Sequence, residues 1–98
     1  MTPHVISDSA VIVAASDVLV SDCGDELVLL NLRDGIYYGL DQVGVRIWSL
    51  VKQPVTLTAI RDALVSEYDV DSARCERDLK LIVTELAAKG LVEIREHP

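Results

Sequence analysis

The hydrophobic pattern of the chain changes its period at Asp41. Between residues 11 and 40 the apolar residues form short runs, rich in Val, Ile and Tyr, which is typical of β-strands. After Asp41 the apolar residues recur at helical spacing, first at Val43, Ile47, Leu50 and Val51. Since 98 residues suffice for one domain and half of them are apolar, we expect a folded α+β protein whose sheet precedes its helices.

Residues 17–40 fit an antiparallel meander of three strands. The middle strand, Leu27–Leu32, has apolar residues on both faces, as in a strand that is covered on both sides. Asp34-Gly35 follows, and an Asp-Gly pair between two apolar runs predicts a hairpin with a type I′ turn, in which both central residues have positive φ. The last strand, Ile36–Leu40, is short and aromatic, and it is a candidate for the edge of the sheet.

Capping signals divide the second half of the chain into helices near residues 42–52, 57–67 and 72–89. Each helix is preceded by a residue whose side chain can accept a hydrogen bond from the first turn, namely Asp41, Thr56 and Asp71. The third helix ends at Lys89-Gly90 and carries a core stripe of Cys75, Leu79, Ile82, Val83 and Leu86.

A last short strand can follow the third helix at Leu91–Ile94. This order of elements predicts a winged helix-turn-helix-like fold, with an N-terminal three-stranded antiparallel sheet followed by three helices. We expect a single domain over residues 1–98, with an ordered core at about residues 10–94.

The charge of the chain argues against a polyanionic partner. Sixteen acidic residues outnumber nine basic ones, so the formal net charge is −7, and DNA or RNA binding relies on Lys and Arg. The third helix does carry Arg74, Arg77 and Lys80, but carboxylates alternate with them, as in an ordinary helix face with ion pairs four residues apart. The helix-turn-helix outline still allows a small winged-helix regulator that binds nucleic acid, and we keep this as the less favoured alternative function.

No pattern in the chain predicts catalysis, a metal or a cofactor. His4 and His97 lie at the two ends, where a held geometry with a partner is not expected. Cys23 and Cys75 have no CxxC companion, and we interpret them as reduced thiols in a cytoplasmic protein, with Cys75 packed in the core. No secretory signal opens the sequence, and its apolar runs are too short to span a bilayer.

The run from Gly35 to Trp48 resembles the PqqD-like family, the peptide-recognition elements of ribosomal peptide natural-product pathways. It is most similar to the stand-alone leader-binding branch of lasso peptide biosynthesis, and the similarity extends over about residues 10–94. The resemblance implies a non-catalytic protein that binds the leader segment of a precursor peptide. It also implies a second partner, a separate leader peptidase of the cysteine-protease type.

The family builds its leader groove from the third strand and the third helix. In this sequence the resemblance assigns one wall to the strand Ile36, Tyr37, Tyr38, Gly39 and Leu40, and the other to Cys75, Asp78, Leu79 and Ile82. An extended guest peptide would then add as a further strand, through main-chain hydrogen bonds to an unpaired edge.

The residues themselves leave some of these assignments open. Tyr37 and Tyr38 must point to opposite faces of the strand, so one of them can lie in the core. Gly39 has no Cβ and would let a guest backbone approach closely. Asp78 fits either a contact with a basic guest residue or a solvated pair with Arg74, and Trp48 is expected in the core.

Overall fold

The computed structural model describes residues 6–22, 24 and 26–96, and it contains a mixed α+β fold. The elements in chain order are β1 (Val11–Ala14), β2 (Val18–Asp22), β3 (Leu27–Asn31), β4 (Ile36–Leu40), α1 (Gln42–Val51), β5 (Val55–Thr56), α2 (Leu57–Tyr68), α3 (Ser72–Ala88) and β6 (Val92–Arg95). The predicted meander, the three helices and the last strand are confirmed. The predictions made for His4, Cys23 and His97 lie outside the described residues.

The predicted meander forms an antiparallel sheet with the strand order β2-β3-β4. Its register pairs Leu29 of the middle strand with Val20 on one side and with Tyr38 on the other. Leu29 is fully buried, which fits the expectation of a covered middle strand. Within the described part of the chain, β4 has no strand on its outer side. The prediction of an edge strand at Ile36–Leu40 is therefore confirmed.

The hairpin between β3 and β4 is present, but the predicted type I′ turn is wrong. Asn31 pairs with Ile36, which leaves a loop of four residues and places Leu32 in the loop instead of the strand. Gly35 has φ of 72°, whereas Asp34 has no positive φ. The side chain of Asp34 explains the difference, because its Oδ1 accepts a hydrogen bond from the Ile36 N–H at 2.9 Å and stabilises a wider turn.

The three helices begin at the predicted caps. The side chains of Asp41, Thr56 and Asp71 accept hydrogen bonds from the N–H groups three residues further on, at 2.8, 3.1 and 2.9 Å. Helix α3 ends as predicted at Lys89-Gly90, where Gly90 has φ of 74°. The Gly90 and Leu91 N–H groups donate to the carbonyls of Ala87 and Leu86, the bonding pattern of a Schellman motif.

A second sheet, with the order β5-β1-β6, was not predicted from the sequence. Strand β1 pairs with β6, its register running from Val11↔Arg95 to Ala14↔Val92, and with the two-residue strand β5. This sheet joins the beginning and the end of the described chain. Pairing over such a sequence separation leaves no local signal, and two-residue strands have no readable period.

The core lies between the two sheets and the three helices. Its buried members come from every helix and from both sheets, and they include Ile12, Leu29, Ile47, Trp48, Ile60, Leu79, Val83 and Leu91. The predicted core positions of Trp48 and Cys75 are confirmed. Val43 was predicted to join the core stripe of α1, but it is 37% exposed, because it lies at the start of the helix beside an open groove.

Candidate functional site

A groove runs between the edge strand β4 and helix α3. It consists of two adjoining cavities of about 640 and 310 Å³, which share Asp41, Val43 and Ile82 in their linings. The larger cavity lies between the N-terminal half of α3 and the end of α2, and the smaller one lies between β4 and the C-terminal half of α3. The volume of the larger cavity lies in the range of small-molecule pockets in proteins.

The wall predicted on α3 faces this groove. Cys75, Asp78 and Leu79 line the larger cavity, and Ile82 lines both cavities. Cys75 and Leu79 are buried, Ile82 is half-buried and Asp78 is exposed. The structure thus brings together the four α3 residues that the resemblance assigned, as an apolar floor with one carboxylate at its border.

Only part of the wall predicted on β4 lies at the groove; its other residues pack in the core or are exposed to solvent. Gly39 and Leu40 line the smaller cavity. Tyr38 packs against the core, and its hydroxyl donates to Asp34 Oδ2 at 3.4 Å. Tyr37 points to the opposite face of the sheet and is 68% exposed, and Ile36 is exposed at the hairpin end of the strand. The side chains of Ile36, Tyr37 and Tyr38 line neither cavity.

Open space surrounds Gly39. A Cβ placed on this residue would meet no heavy atom within 4 Å. The strand itself therefore does not need a glycine for packing at this position. An approaching backbone would find the space beside Gly39 free.

Asn31 links the sheet to the end of α3 beside the groove. Its side chain is buried, with 3% exposed, and its Nδ2 donates to the Lys89 carbonyl at 2.8 Å, where α3 ends. This bond connects β3 to the C-terminus of α3. Gly90 leaves room for it, because a Cβ at that position would lie 2.9 Å from Asn31 Nδ2. One hydrogen bond and one glycine thus join the end of α3 to the sheet, in addition to the packing of the core.

Partial burial affects two titratable groups near the groove. Burial raises the pKa of the Cys75 thiol, and the neighbouring Asp78 carboxylate adds to this rise. Burial and the Asp34 carboxylate raise the pKa of Tyr38, and the Lys89 ammonium lies 5.4 Å from the centre of its ring. Both groups are therefore neutral at neutral pH, and Cys75 offers an apolar contact to anything that enters the groove.

Several groove residues were not identified from the sequence. The larger cavity is also lined by Leu64, Tyr68, Val70 and Arg74, and by three further carboxylates, Asp41, Asp69 and Asp71. From the sequence, Asp71 was assigned only a capping role, and Asp69 and Val70 were given no part in the groove. The signal available there was Val70, an apolar residue in a turn, which is 44% exposed in the structure. For Asn31, the signal was a polar residue inside an apolar strand.

Within the described residues, no group of three or more His, Cys, Asp or Glu side chains is arranged to hold a metal ion. In the same part of the chain, no helix combines the length and apolar character needed to cross a membrane.

Comparison with known proteins identifies the family. The family model described as Coenzyme PQQ synthesis protein D (PqqD) matches residues 26–92, which include β3, β4 and all three helices. Among curated proteins no significant match is found.

Two solved structures resemble the chain closely. One is described as "TbiB1 in Complex with the TbiA(beta) Leader Peptide"; it is 43% identical, has a TM-score of 0.77, and the match covers 83% of this chain and 94% of that one. The other is described as "Lasso peptide synthetase B1 complexed with the leader peptide", with 25% identity, a TM-score of 0.71 and coverage of 84% and 96%. The family match and these two structures lead to one conclusion: the chain belongs to the PqqD family, as a PqqD-like recognition element of ribosomal peptide biosynthesis.

Proposed function

We propose that this protein binds the leader segment of a ribosomally made precursor peptide of the lasso type, in the groove between β4 and α3. The observation that carries the proposal is the position of the groove. One of its walls is β4, whose outer edge is unpaired among the residues that the structure describes, and its floor is the apolar face of α3. Two structural relatives are described as complexes with a leader peptide.

The geometry suits an extended peptide for a physical reason. An edge strand offers unpaired N–H and C=O groups, and a guest strand satisfies them through main-chain hydrogen bonds. Such bonds do not distinguish sequences, so the side chains that enter the two cavities provide the specificity. The floor of Leu79 and Ile82 with the neutral Cys75 favours aliphatic, aromatic or proline side chains.

The proposal also covers the role of the bound peptide. The protein does not catalyse a reaction itself. It delivers the bound precursor to a separate leader peptidase of the cysteine-protease type. It acts as a single recognition domain over residues 1–98, and it works in the cytoplasm, where precursor peptides are synthesised.

The alternative function, nucleic-acid binding, is less well supported. Carboxylates lie close to two of the three basic residues of α3: Lys80 Nζ is 3.2 Å from Asp8 and 3.8 Å from Glu76, and Arg74 is 3.9 Å from Asp78. These carboxylates and the net charge of −7 would repel the phosphates of a nucleic acid.

A matched pair of α3 variants tests the proposed site. Ile82→Asp places a charge on the floor that both cavities share, whereas Leu81→Asp places the same charge on the neighbouring residue, which is 67% exposed and lines neither cavity. The probe is the TbiA(beta) leader peptide with a fluorescent label, and binding is measured by anisotropy. We expect Ile82→Asp to weaken binding at least about tenfold, or ~1.4 kcal/mol, and Leu81→Asp to leave it nearly unchanged.

Circular dichroism establishes that both variants are folded. If folded Ile82→Asp binds the probe as tightly as the parent, the groove is not the binding site. The proposed function is wrong if the parent protein binds neither the probe nor a leader peptide encoded beside its own gene.

A further inference from the structure

The charges along the groove are unevenly distributed. The larger cavity is bordered by four carboxylates, Asp41, Asp69, Asp71 and Asp78, and by one cation, Arg74. The smaller cavity is bordered by Asp41, Glu85 and Lys89 and is close to balanced. The end of the groove beyond Leu40 is therefore strongly acidic, while the stretch beside β4 is not.

Apolar residues and the acidic residues line the same larger cavity. Leu64, Tyr68, Leu79 and Ile82 contribute its apolar lining, and Val70 lies 44% exposed between Asp69 and Asp71. A side chain with an aliphatic stem and a cationic head fits such a place, because its methylene groups contact the apolar lining while its charge stays at the border.

The carboxylates at this end can still accept hydrogen bonds or an ion pair from a guest peptide. Asp41 and Asp71 each use one oxygen to cap a helix, through Gly44 N–H and Arg74 N–H. The Asp78 pair with Arg74 is long, at 3.9 Å, and both side chains are more than half exposed. Exposed pairs of this kind contribute little energy, so a guest cation can replace Arg74 at small cost.

We propose that the groove selects a peptide with a Lys or Arg residue next to its strand-forming segment, placed at the acidic end formed by Asp69, Asp71 and Asp78. The inference rests on the proposed function, because it assigns a side-chain class to one end of the same groove. Main-chain pairing with β4 would hold the segment, and the charge at this end would fix its register along the strand. A peptide shifted by two residues would keep its main-chain bonds but lose the ionic contact.

The test is a charge scan of the probe. Each position of the TbiA(beta) leader peptide is replaced in turn by Lys and by Glu, and each peptide competes with the labelled parent peptide in the anisotropy assay. We expect one position or two adjacent positions, at one end of the bound segment, where the Lys peptide binds at least about threefold more tightly than the Glu peptide. The end at which they lie also gives the direction of the guest strand relative to β4.

Two protein variants with the same change in net charge distinguish the effect of the acidic end on binding from the effect of the overall negative charge. Asp69→Asn/Asp78→Asn removes two carboxylates of the acidic end, and Asn tolerates the positive φ of 44° at residue 69. Asp62→Asn/Glu93→Gln removes two exposed carboxylates that line neither cavity. The preference for Lys should be lost or sharply reduced in the first variant, which keeps only Asp71 of the three carboxylates, and persist in full in the second.

Three results would overturn the inference. Equal binding of Lys and Glu peptides at every position would show that the acidic end makes no ionic contact. A Lys preference that survives undiminished in Asp69→Asn/Asp78→Asn would assign the effect to overall charge. A protein that binds none of the peptides would contradict the proposed function itself, whereas the first two results would leave leader binding intact.

Discussion

Asn31 is a buried polar side chain that links the sheet to the end of α3. Its amide is buried, donates to the Lys89 carbonyl at 2.8 Å and accepts from the Arg33 N–H at 2.9 Å. Both bonds tie the end of β3 to other parts of the structure, one of them to the last residues of α3. From the sequence, Asn31 was only one residue of a strand, because a buried hydrogen bond between residues 58 positions apart has no local pattern.

Replacement of Asn31 by Asp removes the donated hydrogen bond and adds a carboxylate at the same buried site. Aspartate has nearly the same shape and keeps the acceptor for the Arg33 N–H, but it has no N–H group for the Lys89 carbonyl and places a negative charge beside it. We expect a loss of about 1–3 kcal/mol in the free energy of unfolding, because a buried carbonyl is left unpaired. Urea denaturation at neutral pH measures this difference.

The same variant should weaken binding of the TbiA(beta) leader peptide, since the end of α3 loses one of its links to the sheet. Leu81→Asp, which adds the same charge at an exposed residue of α3 that lines neither cavity, is the control. An Asn31→Asp protein with unchanged stability would contradict the role given to this bond.

At the scale of elements, local chemistry predicted the structure well and long-range pairing did not. The N-caps at Asp41, Thr56 and Asp71 and the end of α3 at Lys89-Gly90 are confirmed because each depends on residues within one helical turn. The turn type failed at Asp34, whose side chain bonds to the backbone two residues later. The sheet β5-β1-β6 was missed because its strands come from distant parts of the sequence.

Helices α1 and α2 are joined by an ion pair that should make stability depend on pH. Arg46 donates two hydrogen bonds from Nε and one from Nη2 to the Glu67 carboxylate, at 2.8 to 3.1 Å. These bonds lower the pKa of Glu67 below its ordinary value of 4.5. A carboxyl group with a lowered pKa stabilises the fold above its unfolded-state pKa, and the stabilisation is lost as the pH falls through the folded-state pKa.

We therefore expect Glu67→Gln to lower Tm relative to the parent at about pH 7, and the difference to shrink as the pH is lowered towards about 3. As Glu67 of the parent becomes protonated, the parent comes to resemble the variant. Glu93→Gln, where Glu93 and Arg95 are 3.8 Å apart and exposed, should show little difference at either pH. A Tm difference for Glu67→Gln that is constant across this range would mean that the pair does not titrate as described.

At the scale of the whole molecule, the sheet β2-β3-β4 packs against the core that the second sheet and the helices also form. The groove lies where this sheet meets α3. The α3 wall was predictable from the resemblance and from helical spacing, since residues 75, 79, 82 and 86 recur on one face. The acidic end beyond Leu40 was not, because it is assembled from α1, α2, α3 and the loop between α2 and α3.

The sheet β2-β3-β4 has two outer edges within the described part of the chain, and only one of them borders the groove. Strand β4 adjoins the smaller cavity through Gly39 and Leu40, whereas no residue of β2 lines either cavity. Strand β2 is thus an internal control for any measurement of strand addition.

Amide hydrogen exchange, followed by NMR with and without the TbiA(beta) leader peptide, tests the strand addition most directly. We predict that peptide binding slows exchange at alternate residues of Ile36–Leu40, whose N–H groups face the groove edge, and leaves β2 (Val18–Asp22) unchanged. Saturating binding without slower exchange in β4, or slower exchange confined to β2, would contradict the account.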